Sequence, residues 1–183
     1  MKILVVIDVQ NDFIDGALAN ADAQAAMPAI REKVNKCRED GYKVIFTRDT
    51  HNISYLDTLE GKYLPYPHCI KFTRGWQIAK GLQKDSDFVI NKERFGCSDI
   101  IHQIKSSLTA RELAEDEIEE IELIGFCTDI CVVSNALIMK ADLSLDRTII
   151  SCDASCCAGT SKAAHAAALN VMRCCQVEVR NDY

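Results

Sequence analysis

Cys131 has the sequence setting best suited to nucleophilic chemistry. It follows an apolar run that ends at Gly125 and Phe126 and a short turn, Cys127 to Ile130. A helix-like stretch from Val132 to Lys140 comes after it. Thr128 and Asp129 are N-cap candidates for that helix. Cys131 would then lie in the first helical turn, where the helix dipole and free backbone N–H groups favour a thiolate over a thiol. The thiolate is the form in which cysteine attacks. A buried cysteine packed beside a turn gives the same local pattern, so partners decide the matter.

Several side chains could be those partners. Asp8 follows the apolar run Ile3–Ile7. At the inner end of a strand its pKa would rise with burial, as suits a proton shuttle; the alternative is a carboxylate satisfied by backbone N–H groups of the turn at residues 10–12. Lys92 ends another apolar run. Buried beside Asp8 and Cys131 it would stabilise both a carboxylate and a thiolate; otherwise it snorkels to the surface. Phe95 in the following loop is available to a ring-shaped ligand. Asp49 and His51, followed by Glu60 and His68, supply two carboxylates and two imidazoles, a set suited to Zn, Fe or Mn with water completing the shell. The segment 52–67 between them is long and polar, as functional loops are.

These residues converge only if the strands that carry them are neighbours. Ile- and Val-rich runs at 2–8, 43–48, 88–92, 119–126, 147–153 and 176–180 read as strands covered on both faces. Between them, Met27, Ile30, Val34 and Cys37 recur at helical spacing in a helix over 23–40 that Gly41 closes. Residues 129–140 and 161–174 follow the same period, 98–107 more weakly, and 108–118 is a charged helix or an exposed excursion. The alternation predicts an α/β fold: one doubly wound, three-layer domain over residues 1–183 with a six-stranded parallel sheet. Such sheets bind ligands outside the carboxyl ends of their strands, where Asp8, Asp49, Lys92 and Cys131 all fall. Asp153, at another strand end, is read as a residue near the site or a helix-leading turn acid.

Composition narrows the function. With 183 residues, 48% hydrophobic content and a formal net charge of −6, the chain suits a full core. It has no basic stripe, so nucleic acid is not an expected partner. No run reaches transmembrane length, and Ile3–Ile7 is too short for a signal segment. A cytoplasmic protein is expected. The ten cysteines are then read as free thiols packed as small hydrophobes rather than as a disulfide framework.

Taken in order along the chain, the motifs resemble those of the isochorismatase-like cysteine hydrolases and, within them, the nicotinamidases. They are Ile7–Phe13, Thr47–His51, Pro67–Cys69 before Thr73 and Gly75, Asn91–Gly96, Gly125–Val132, and Cys152–Ala154 before an Ala-rich helix. The resemblance implies a triad of Asp8, Lys92 and Cys131 that cleaves amides through a thioester. It implies an oxyanion hole of the backbone N–H groups of Cys127 and Cys131, next to a cis peptide between Phe126 and Cys127. It also implies a divalent metal on Asp49, His51, His68 and Glu60 that binds a pyridine nitrogen, no organic cofactor, and a homo-oligomer. Phe13, Phe95 and Phe126 are placed against the small-molecule amide substrate. Two departures bear on the pocket: Pro65 stands where nicotinamidases commonly have Trp, and Phe72 where the family has Gly.

Nicotinamide deamidation is therefore the leading expectation. A carbamoyl or ureido substrate on the same triad is the alternative, although family members of that kind usually lack the metal ligands. A cysteine-rich redox or metal-storage protein on the same fold is a third, but the CxxC spacing expected of such sites is absent.

Overall fold

The computed structural model describes residues 1–182, apart from 111 and 113–116. Six strands, β1 (Lys2–Ile7), β2 (Lys43–Asp49), β3 (Phe88–Lys92), β4 (Glu120–Phe126), β5 (Ile149–Ala158) and β6 (Glu178–Arg180), form one sheet. Their order is β3-β2-β1-β4-β5-β6 and every pairing is parallel. The described helices are α1 (Asn11–Ile14), α2 (Ala21–Glu39), α3 (Leu59–Tyr63), α4 (Ile100–Ser106), α5 (Val133–Ala141) and α6 (Lys162–Cys174).

Residues Ile3 to Ile7 are fully buried, which explains the unbroken apolar run of the central strand β1. From β1 the chain steps outward through β2 and β3, then returns to lay β4 on the other side of β1. With right-handed crossovers this reversal sends helices to opposite faces, the doubly wound arrangement expected. It also opens a crevice between the carboxyl ends of β1 and β4, the place where open α/β sheets bind ligands. Helix α2 buries Met27, Ile30, Val34 and Cys37, the stripe read from the sequence. It begins earlier than expected because the Asn20 side chain accepts from the N–H groups of Asp22 and Ala23. Gly41, at φ +81°, closes it.

Strand β5 runs on to Ala158 instead of ending at Asp153. Leu123 faces Cys152 and Gly125 faces Cys157, so the intervening residues bulge out of the ladder. Asp153 folds that bulge onto itself, accepting from Ser155 Oγ at 2.7 Å. Its other oxygen accepts from Lys33 Nζ at 3.0 Å. It therefore belongs to a buried ionic cluster with Lys33 and Glu122, not to the crevice. The segment 52–67 is not structureless, since it holds a 3-10 turn at Tyr55–Asp57 as well as α3. The charged segment expected at 108–118 lies partly outside the described residues.

None of the ten cysteines is in a disulfide, and most are buried as core hydrophobes. Cys174 and Cys175 depart from that expectation: both are exposed at the end of α6. Among the described residues no helix is long and apolar enough to cross a membrane.

Gly125 shows how closely β1 and β4 approach at the crevice. Its φ is +120°, and a Cβ there would lie 2.1 Å from the Ile7 carbonyl oxygen. That oxygen belongs to a central strand and cannot step aside. Gly125→Ala is expected to cost about 3 kcal/mol or more, from backbone strain plus the clash. A urea midpoint equal to that of the parent protein would contradict this packing.

Candidate active site

Three strand ends supply the first cluster. Asp8 comes directly after β1 at φ +49°, a left-handed conformation that Asp tolerates better than most residues. It is fully buried. Thr47 of β2 holds it, donating from Oγ1 to Asp8 Oδ1 at 2.7 Å and accepting from the Asp8 N–H at 3.1 Å. Lys92, at the end of β3, is only 3% exposed, which removes the snorkelling alternative. Its Nζ lies 2.6 Å from Asp8 Oδ2, 3.6 Å from Cys131 Sγ and 3.6 Å from Asp49 Oδ1. It also donates to the Arg94 carbonyl at 3.1 Å. Burial works against the ammonium, but Asp8, Cys131 and Asp49 outweigh it and hold the Lys92 pKa above its ordinary value.

Cys131 sits in a π-helical turn, Thr128–Val132, that leads into α5. The peptide between Phe126 and Cys127 before it is cis. Thr128 and Asp129 do not cap the helix as expected. Thr128 Oγ1 lies 2.8 Å from His165 Nδ1. Asp129 accepts from the Thr160 N–H at 2.8 Å and from Thr160 Oγ1 at 2.6 Å. Both residues tie the turn to the chain after β5. Asn135 ties it from the other side: its Nδ2 donates to the Cys131 carbonyl at 2.7 Å and to the Phe95 carbonyl at 3.1 Å. Its Oδ1 accepts from the Cys97 N–H at 3.0 Å. Neither Asn135 nor His165 stands out in the sequence reading above. For Asn135 a signal existed, an amide four positions after Cys131 and so one helical turn on.

The protonation of Cys131 also differs from expectation. Burial pushes the thiol far up, Lys92 draws it down, and Asp8 pushes it up again. Desolvation outweighs helix position here. Burial thus works against the thiolate that helix position alone favours. Burial raises the Asp8 pKa too, against the pull of Lys92.

The second cluster lies beside the first. His51 Nε2 is 3.0 Å from Asp49 Oδ2, and His68 Nε2 is 3.5 Å from the same oxygen. Asp49, His51 and His68 present ligand-type atoms within 4.8 Å of one another, all buried. His68 Nδ1 faces the Tyr66 carbonyl at 2.8 Å. A carbonyl only accepts, so Nδ1 carries a proton and Nε2 is the ring nitrogen turned to the cluster. Burial raises the Asp49 pKa, but His51, His68 and Lys92 together bring it well below the usual carboxylate range. Glu60 Oε1 is buried with no hydrogen-bond partner, 3.5 Å from His51 Nε2 and 3.9 Å from His68 Nε2. A buried carboxylate oxygen without a donor is costly. A cation among these four side chains would satisfy it, so the donor set fits a divalent metal.

Both clusters open into one cavity of about 530 Å³ whose lining includes Phe13, Phe95, Asp49, His68, Cys127 and Cys131. Phe13 and Phe95 therefore stand where a substrate ring was expected. Phe126 does not line it: the side chain is fully buried in the core of β4, since the strand's pleat turns it inward. The two departures from the family pattern separate as well. Phe72 is 80% exposed at φ +71°, with its ring against Trp76, and does not line the cavity. Pro65 is exposed, but its neighbour Leu64 lines the cavity.

A doubly wound sheet with these strand ends defines a class of hydrolase fold, and the chain belongs to the isochorismatase family: the isochorismatase domain matches residues 2–181. Within that class it is similar to a nicotinamidase from Saccharomyces cerevisiae, 23% identical over 82% of this chain and 86% of that protein. It is similar also to a nicotinamidase/pyrazinamidase from Mycobacterium tuberculosis, 26% identical over 98% of each chain. Among solved structures, the pyrazinamidase of Pyrococcus horikoshii in complex with zinc matches with a TM-score of 0.74 at 22% identity, covering 97% of both chains.

Proposed function

We propose that the protein is a cysteine amidohydrolase that deamidates nicotinamide or a close heterocyclic carboxamide to the carboxylate and ammonia. The observation that carries this is the position of Lys92 Nζ between Asp8 and Cys131, at a cavity shared with the Asp49, His51, Glu60 and His68 cluster.

Asp8 takes the Cys131 proton as Sγ attacks the carboxamide carbon. Lys92 stays charged and holds Asp8 and the developing thiolate in place. The oxyanion is received by the backbone N–H groups of Cys127 and Cys131. Asp8 returns its proton to the amide nitrogen, the C–N bond breaks, and ammonia leaves a thioester on Cys131. Asp8 then deprotonates water, which attacks the thioester; the carboxylate departs and the thiol is restored. Phe13 and Phe95 bound the ring. Asp49, His51, His68 and Glu60 would hold a divalent ion, Zn, Fe and Mn all being suited, and it would supply a Lewis acid for the pyridine nitrogen.

Ammonia release from nicotinamide by protein loaded with Zn, Fe or Mn tests the substrate, and no release from any loaded form contradicts it. The metal site has its own readout. A ligand that binds only the folded state at about 100 times its Kd adds about 2.7 kcal/mol of stability. Zn is therefore expected to raise the melting temperature of the parent protein and not that of Asp49→Asn or His68→Ala; equal shifts in all three would place the ion elsewhere.

The four ligand-type side chains count against a carbamoyl or ureido substrate. A redox role is disfavoured by the other thiols, since burial pushes Cys127 up to about 12 and Cys97 and Cys156 each to about 11. Self-association is also proposed, because Ile53, Leu59, Tyr63 and Phe72 are exposed apolar side chains within one segment. Sedimentation is expected to give a mass above 20.4 kDa; a monomer at working concentration contradicts it.

A further inference from the structure

The cavity is larger than one ring needs. At about 530 Å³ it falls among pockets that hold drug-sized ligands, whereas a single-ring carboxamide is much smaller. Its reactive part is accounted for by Cys131, Asp49 and His68. The rest of the wall is chemically uniform: Leu18, Ala19, Ala21, Leu64 and Ile130 line it without a charged side chain among them.

The two polar side chains in that wall are uncharged and tied into the fold. Asn20 Oδ1 accepts from the N–H groups of Asp22 at 2.8 Å and Ala23 at 3.3 Å, and its Nδ2 donates to the Gly159 carbonyl at 2.7 Å. Thr160 Oγ1 donates to Asp129 at 2.6 Å. A charged extension of the substrate would lose water here without gaining a countercharge. An apolar extension would leave water and lose nothing.

We infer that the enzyme is built for an aromatic carboxamide that carries an uncharged apolar extension, such as a fused second ring or an alkyl substituent, rather than for the bare pyridine amide. The inference rests on the amidase function proposed above and deepens it. Filling an apolar subsite changes kcat/KM by about 10- to 200-fold.

The test compares quinoline-3-carboxamide with nicotinamide by ammonia release from metal-loaded protein. At least about tenfold higher kcat/KM is expected for the bicyclic amide. Ala19→Trp, at an exposed position that the fold does not depend on, is expected to bring the ratio of the two kcat/KM values to one or below. Leu64→Phe provides a second, smaller filling of the same wall. Turnover of nicotinamide with an equal or higher kcat/KM overturns the inference and leaves the amidase function standing. Turnover of neither amide overturns both. A bicyclic preference that survives both substitutions overturns the assignment of this wall.

Discussion

Cys131→Ala is expected to lower kcat/KM for the carboxamide by at least about 10⁴-fold, on the scale seen when an enzyme loses its nucleophile. The side chain is 5% exposed and its sulfur is small, so truncation leaves little cavity. A stability loss of about 1 kcal/mol is expected, at the low end for buried truncations. Lys92 keeps its 2.6 Å contact with Asp8, so no buried charge is orphaned. The expected outcome is thus a folded, metal-binding and inactive protein. Steady-state ammonia release together with thermal melting separates the two effects. Activity within about tenfold of the parent, in a folded variant, would remove the nucleophile from the mechanism.

The second large effect concerns the Asp8 and Lys92 pair. Both side chains are almost wholly buried. Lys92→Met leaves the buried Asp8 carboxylate without its cationic partner, held by the Thr47 hydroxyl. Asp8→Asn leaves the ammonium facing Asp49 at 3.6 Å. Breaking one side of a buried pair costs about 3–5 kcal/mol, mostly from the charge left behind, whereas replacing both partners is often close to neutral. The double variant is therefore expected to be more stable than either single variant and still inactive. Each single variant should lose about 10²- to 10⁴-fold in turnover. Lys92→Met should also move Cys131 alkylation to higher pH. The sign follows from the cation: Lys92 lowers the thiol pKa, so its removal raises it. Additive stabilities would show that Asp8 and Lys92 are not coupled to each other, and an unshifted alkylation profile would show that Lys92 does not act on the thiol.

The parts of the molecule that could be read in the sequence were those fixed by short-range pattern. The apolar run at Ile3–Ile7 marks a strand covered on both faces, and the spacing of Met27, Ile30, Val34 and Cys37 marks the buried stripe of α2. The alternation of strands and helices predicts a parallel sheet, and the observed order β3-β2-β1-β4 is what brings Asp8, Lys92 and Cys131 to one rim. What escaped depends on partners far away in the chain. Thr128 and Asp129 look like helix caps locally, yet they bind His165 and Thr160. The bulge that extends β5 is set by Asp153 with Ser155 and Lys33, and no periodicity announces it. Phe126 adjoins the reactive turn in sequence, but its place on β4 points it into the core. The balance at Cys131 has a related cause: position in a helical turn is local and favours the thiolate, whereas full desolvation is a property of the packed protein and raises the thiol pKa.

The most direct measurement of the central claim is mass spectrometry of the reaction quenched in acid, where a thioester survives. Turnover of the best carboxamide substrate is predicted to leave its acyl group on the peptide that contains Cys131, and on no other cysteine peptide. The adduct is predicted to vanish in Cys131→Ala and to decay as product forms. Rapid turnover with an unmodified Cys131 peptide, or an acyl group carried by Cys127, would contradict the account.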